Sequence, residues 1–119
     1  MYYKQNYSKI QYTKAHRKAF RTVEKQLLGH NTFRSLFHDA DKLVLLCIVP
    51  KDKASMLHRK YSRHHEKAHT TNDYIQMVVD WECARYTKPD KPLNARETLY
   101  KYYTHMIPVI EPLLIQLGL

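Results

Sequence analysis

His38 and Asp39 are neighbours in the stretch Arg34-Ser35-Leu36-Phe37-His38-Asp39-Ala40-Asp41-Lys42. An imidazole nitrogen and a carboxylate oxygen can each give a divalent metal one lone pair, so the two side chains form half of a mixed nitrogen and oxygen shell. Lys42 follows His38 by four residues. On a helix that spacing puts its ammonium on the same face, aimed at whatever a metal would hold. The apolar run Leu43-Val44-Leu45-Leu46-Cys47-Ile48-Val49 comes next and predicts that this helix is drawn into the interior. A His and an Asp carried inside need partners.

The nonapeptide resembles the signature of the HD superfamily of metal-dependent phosphohydrolases, whose His-Asp is often followed by a small pair and Lys; here it reads His38-Asp39-Ala40-Asp41-Lys42. Asp41 stands where the superfamily often has Gly and adds a carboxylate beside the site. The superfamily pattern also calls for one His on an earlier helix, optional His residues between, and an Asp on a later helix. In this chain those are His16, then His64, His65 and His69, then Asp80. From His16 to Tyr103 the chain is also similar to a family of small HD-like proteins of bacterial and phage genomes. That likeness runs through Ala15-His16, the His-Asp-x-x-Lys run, His64-His65 and Met77-Val78-Val79-Asp80-Trp81. It implies an all-α, HD-domain-like bundle with a metal held by His16, His38, Asp39 and Asp80. The superfamily resemblance further implies a metal-dependent phosphohydrolase, and the basic balance with the histidine-rich stretch favours a nucleotide or another phosphorylated substrate.

Two imidazoles and two carboxylates leave coordination positions open for water and substrate, and suit Mn, Fe, Co, Ni or Zn. Such an ion polarises a phosphoryl oxygen and lowers the pKa of bound water from about 16 to about 7. Lys42 is the residue expected to neutralise charge growing on the phosphate. His64 or His65 is expected to protonate the leaving oxygen, and His65 with His69, four residues apart, would share a second ion. Glu66 and Asp73 are weaker candidates for a general acid or base.

The elements that must position these groups follow from capping and periodicity. Residues 1–7 are polar and aromatic without a period and read as a loose arm. Ser8 caps a helix running to about Leu28, ended by Gly29, with a core stripe of Tyr12, His16, Ala19 or Phe20, Val23 and Leu27 that turns His16 inward. A short turn holding His30, read as a surface residue, leads to a second helix. That helix is capped by Asn31 or Thr32, passes through His38 and Asp39, and runs to about Val49, before Pro50. Lys51 to His69 reads as a third helix. Thr70 to Asp73 caps a fourth, with Tyr74, Met77, Val78 and Trp81 as its stripe and Asp80 beside it. After a surface loop, Asn94 caps a fifth helix from Ala95 to about Ile107. Pro108 and Pro112 then break an apolar tail, residues 108–119, that either closes the core or joins two copies into a homo-oligomer. The expected fold is a compact bundle of about five helices.

With 119 residues the chain is read as one domain with a single core. Cys47 and Cys83 lie in apolar helical patterns and read as reduced core thiols. No leader pattern and no membrane-spanning run is found, so the expected setting is the cytoplasm of a bacterium or of a virus-infected host. A formal charge of +9 favours polyanions: nucleotides, nucleic acid or acidic proteins. With ten tyrosines available for stacking, the alternative to an enzyme is a non-catalytic basic module that grips nucleic acid or a host protein.

Overall fold

The computed structural model describes residues 2–62, 68–87 and 93–119. Among them the chain is all-α, with no strand. Helix α1 spans Tyr7–Leu28 and ends where Gly29 turns left-handed at φ 82°, its N–H bonding back to the Lys25 carbonyl. Only glycine enters that region without a steric penalty, which is why the stop was legible. A 3₁₀ turn, Phe33–Phe37, leads into α2 (Ala40–Ile48), followed by α3 (Lys51–Tyr61), α4 (Thr71–Thr87), α5 (Ala95–Tyr102), a second 3₁₀ turn (Thr104–Met106) and α6 (Ile107–Gln116).

Helix α4 is the central element. Met77, Val78 and Trp81 pack against Ala95 and Leu99 of α5 and Ile110 and Leu114 of α6, while Val79 and Cys83 meet Phe20 and Val23 of α1. A helix buried on two sides has apolar residues nearly all round, so its amphipathic stripe is blurred. Its start is a reciprocal cap: the Asp73 N–H donates to Thr70 Oγ1, and the Thr70 N–H donates to Asp73 Oδ2, both at 3.1 Å. The fully buried Asp73 carboxylate also pairs with Arg34 at 2.7 Å, tying the first 3₁₀ turn to α4. Asp73 is therefore structural and not a general acid or base. Glu24, also fully buried, accepts hydrogen bonds from the Thr32 N–H and hydroxyl and from Gln76, fixing the turn after α1 against α4.

Four expectations are corrected. The second helix is not continuous: it breaks at His38 and Asp39, and α2 begins at Ala40. The third helix stops at Tyr61, with Ser62 extended at ψ 138°, so His69 is not on it; it lies just ahead of α4. The arm is held, because Asn6 donates to the carbonyls of Leu46 (2.8 Å) and Val49 (2.9 Å), capping the end of α2. The apolar tail forms α6 across Pro112. Pro108 sits in the first turn, where its missing N–H has no helical partner, and Pro112 removes one further bond. Burial of Ile110 and Leu114 in the main core outweighs that loss.

Candidate metal centre

Three segments deliver the side chains. His16 comes from the buried face of α1, His38 and Asp39 from the break before α2, and Asp80 from α4. The break is itself built. His38 is extended (ψ 124°) and Asp39 is left-handed (φ 58°, ψ 15°), the one non-glycine residue with positive φ among those described. Arg17 holds this conformation from α1 by donating Nε to the His38 carbonyl (2.8 Å) and a terminal nitrogen to the Leu36 carbonyl (2.7 Å). On an unbroken helix adjacent side chains diverge by about 100°; at the break His38 and Asp39 converge, with Nε2 and Oδ2 3.5 Å apart.

The four side chains form a group that could hold a metal ion. His16 Nε2 lies 2.6 Å from Asp80 Oδ1 and 3.6 Å from Asp39 Oδ2. His38 Nε2 lies 3.0 Å from Asp80 Oδ1 and 3.3 Å from His16 Nε2. One donor atom from each of the four residues lies within 4.8 Å of the other three. Four ligands at about 2.1 Å from a tetrahedral or octahedral ion stand about 3.0 to 3.4 Å apart; the two His38 separations fall in that range, and the 2.6 Å His16–Asp80 contact is a hydrogen bond that would have to open for this donor set to hold a divalent metal. Burial pushes the His16 imidazole down, but the hydrogen bond and charge of Asp80 outweigh it and leave its pKa raised. Burial likewise opposes ionisation of Asp80, yet the two imidazoles hold its carboxyl well below the usual range. The His38 ring is stacked on Phe20, centroids 3.7 Å apart, which fixes its plane. The other nitrogen of His16 faces the Thr87 hydroxyl at 3.5 Å and Cys83 Sγ at 3.6 Å.

His58 is the residue that sequence reasoning missed. It is buried on α3, with Nε2 2.8 Å from Asp39 Oδ1 and Nδ1 2.9 Å from Asp41 Oδ2. The chain Asp41–His58–Asp39 thus grips one oxygen of Asp39 and turns the other toward the cluster. Orientation of a ligand by a hydrogen-bonded neighbour is the usual outer layer of a metal site. Burial works against the charged His58 ring, but Asp39 and Asp41 raise its pKa to about 9. Ala54, four residues earlier, lies on the same face of α3 and is also buried, but the sequence does not say that this is the buried face. Asp41, expected as an additional carboxylate at the site, reaches it through His58.

Above the cluster opens a pocket of about 550 Å³ lined by His16, Asp39, His58 and Asp80 together with Lys9, Lys42 and Arg59. Lys42 is thus at the site, although the break removes the helical register from which this was expected. His64, His65 and Glu66 lie outside the described residues. His69 does not join the cluster: its side chain is 69% exposed and faces Asp73 at 3.6 Å. Compared with known proteins, the chain matches no family model, no curated protein and no solved structure. No helix among the described residues is long and apolar enough to cross a membrane.

Proposed function

We propose that the protein is a metal-dependent phosphohydrolase that takes a nucleotide or another small phosphorylated substrate. The observation carrying this reading is the convergence of His16, His38, Asp39 and Asp80, of which His16, Asp39 and Asp80 line a pocket whose wall also holds Lys9, Lys42 and Arg59. A volume of about 550 Å³ is in the range of small-ligand sites. The cationic wall matches phosphate charge. The resemblance to HD phosphohydrolases, carried by the order of these same residues, supports the reading.

A divalent ion bound by the four residues would supply Lewis acidity and a hydroxide equivalent at neutral pH. The chain's own groups do the rest. His58 keeps Asp39 aimed inward, Phe20 keeps the His38 ring in plane, and Lys9, Lys42 and Arg59 draw in the phosphate and offset its growing charge. The water gives up a proton to solvent as its oxygen bonds to phosphorus, the P–O ester bond breaks, and the leaving oxygen takes a proton. His64 and His65 are our candidates for delivering it.

The test is release of inorganic phosphate from a panel of nucleotides and simple phosphomonoesters with protein loaded with Mn, Co, Ni or Zn. His38→Ala and Asp80→Ala should abolish turnover while Lys42→Ala leaves the metal bound and slows it. Silence with every metal and substrate, in protein shown to bind the ion, would overturn the proposal.

A further inference from the structure

Helix α1 carries a second concavity. A groove of about 510 Å³ is lined by Arg17, Lys18, Arg21 and Lys25, with no acidic side chain in its walls among the described residues, and Leu36 of the first 3₁₀ turn forms part of its edge. At about 100° per residue, positions 18, 21 and 25 lie on the side of α1 opposite His16, and among the described residues none that lines the groove also lines the pocket over the metal cluster. The groove is therefore separate from the metal centre. Arg17 is anchored to the carbonyls of Leu36 and His38, making the junction between helix and turn rigid. Lys18, Arg21 and Lys25 are exposed, and at about 1.5 Å of rise per residue they stand a few ångström apart along the axis, comparable to successive phosphates of an extended strand.

The same 3₁₀ turn presents two aromatic rings to solvent. Phe33 is 77% and Phe37 61% exposed, and the rings touch edge to face with centroids 5.4 Å apart. Large exposed phenyl groups beside a cationic groove are an unusual surface for a protein to maintain without a ligand. A positive track for the backbone with neighbouring aromatic faces for the bases is the combination that binds single strands without sequence preference. We propose that the α1 groove and the Phe33–Phe37 ledge bind single-stranded nucleic acid: phosphates along Lys18, Arg21 and Lys25, and bases against the phenyl rings.

Fluorescence anisotropy with a labelled oligothymidylate tests this. Affinity should fall with salt, and in the triple variant K18E/R21E/K25E the slope of log K against log salt should shrink by about 2, from about 0.7 for each of the lost phosphate contacts. The double variant F33A/F37A should weaken binding by about tenfold or more at unchanged salt slope, since stacking is not ionic. A duplex of equal phosphate number should compete poorly. All the substituted side chains are exposed, and far-ultraviolet circular dichroism confirms that each variant is folded. Absence of binding, or binding untouched by the triple variant, overturns the proposal. Equal affinity for duplex with no effect of F33A/F37A also overturns it, and identifies a general polyanion or acidic-protein surface.

Discussion

Loading the protein with a divalent metal should release a proton, and the source is His16. His16 Nε2 lies 2.6 Å from Asp80 Oδ1, and both groups are shielded from water. Burial pushes the imidazole toward neutrality, but the Asp80 hydrogen bond and charge prevail and raise its pKa above the ordinary value. At a pH of about 6, below the ordinary imidazole value of about 6.5, His16 is therefore mostly protonated. That proton occupies the lone pair a metal needs, because an imidazole ligates only when neutral. Binding at this pH must expel nearly one proton from His16, and apparent affinity should climb about tenfold per pH unit, equivalent to about 1.4 kcal/mol. The climb should flatten once pH passes the raised pKa.

Isothermal titration calorimetry with Zn or Mn, repeated in buffers of different ionisation enthalpy, reads the proton count directly as the slope of observed heat against buffer enthalpy. Asp80→Asn is the informative control. It removes the charge that raises His16, so fewer protons should be released, and it removes a ligand, so affinity should fall by no less than the 10- to 100-fold typical of outer-layer changes, about 100-fold or more. A heat of binding with zero slope in the wild type, or an Asp80→Asn protein that binds as tightly as the parent, would refute the assignment of this cluster as the metal site.

Three further outcomes are expected. His58→Ala leaves all four candidate ligands in place but frees the outer oxygen of Asp39, and should weaken metal binding by about 10- to 100-fold in the same titration; unchanged affinity would show that His58 does not orient Asp39. In metal-free protein the raised His58 pKa, about 9, makes stability depend on pH: the contribution is fully present below the unfolded value of about 6.5 and lost as pH rises through about 9. Its size is on the order of 3 kcal/mol at most. Urea midpoints should therefore fall across that window in the wild type and fall less in His58→Ala. Leu114→Ala, at a fully buried position of α6, should cost about 2 to 5 kcal/mol in urea denaturation; an unshifted midpoint would mean that the C-terminal helix does not close the core.

Much of this architecture was legible because its signals are local. Gly29 ends α1, Asn94 forms a full capping box with Glu97 at the start of α5, and Thr70 with Asp73 opens α4. The inward turn of His16 followed from spacing along one helix. What stayed hidden is set by groups distant in sequence. The break at His38 and Asp39 depends on Arg17, 21 residues before His38, and an apolar run after a plausible cap reads as one helix when that anchor is invisible. Likewise, choosing His58 among the histidines that follow Pro50 requires knowing which face of α3 meets α2. Periodicity does not say that, since the helix is short and five of its 11 residues are charged.

The left-handed Asp39 ties these observations together. A turn needed only for chain direction would be met more cheaply by glycine, which takes positive φ without the penalty of about 1 to 2 kcal/mol borne by most residues. Aspartate tolerates the region better than most side chains, yet here it is buried as well, so both backbone and carboxylate must be held. Arg17 secures the peptide carbonyls on the approach to it, and His58 secures one of its oxygens. The remaining oxygen is directed to the point where His16, His38 and Asp80 meet. Strain maintained by two independent anchors around one carboxylate is the pattern of a functional position, and a cation at that point is what would repay it.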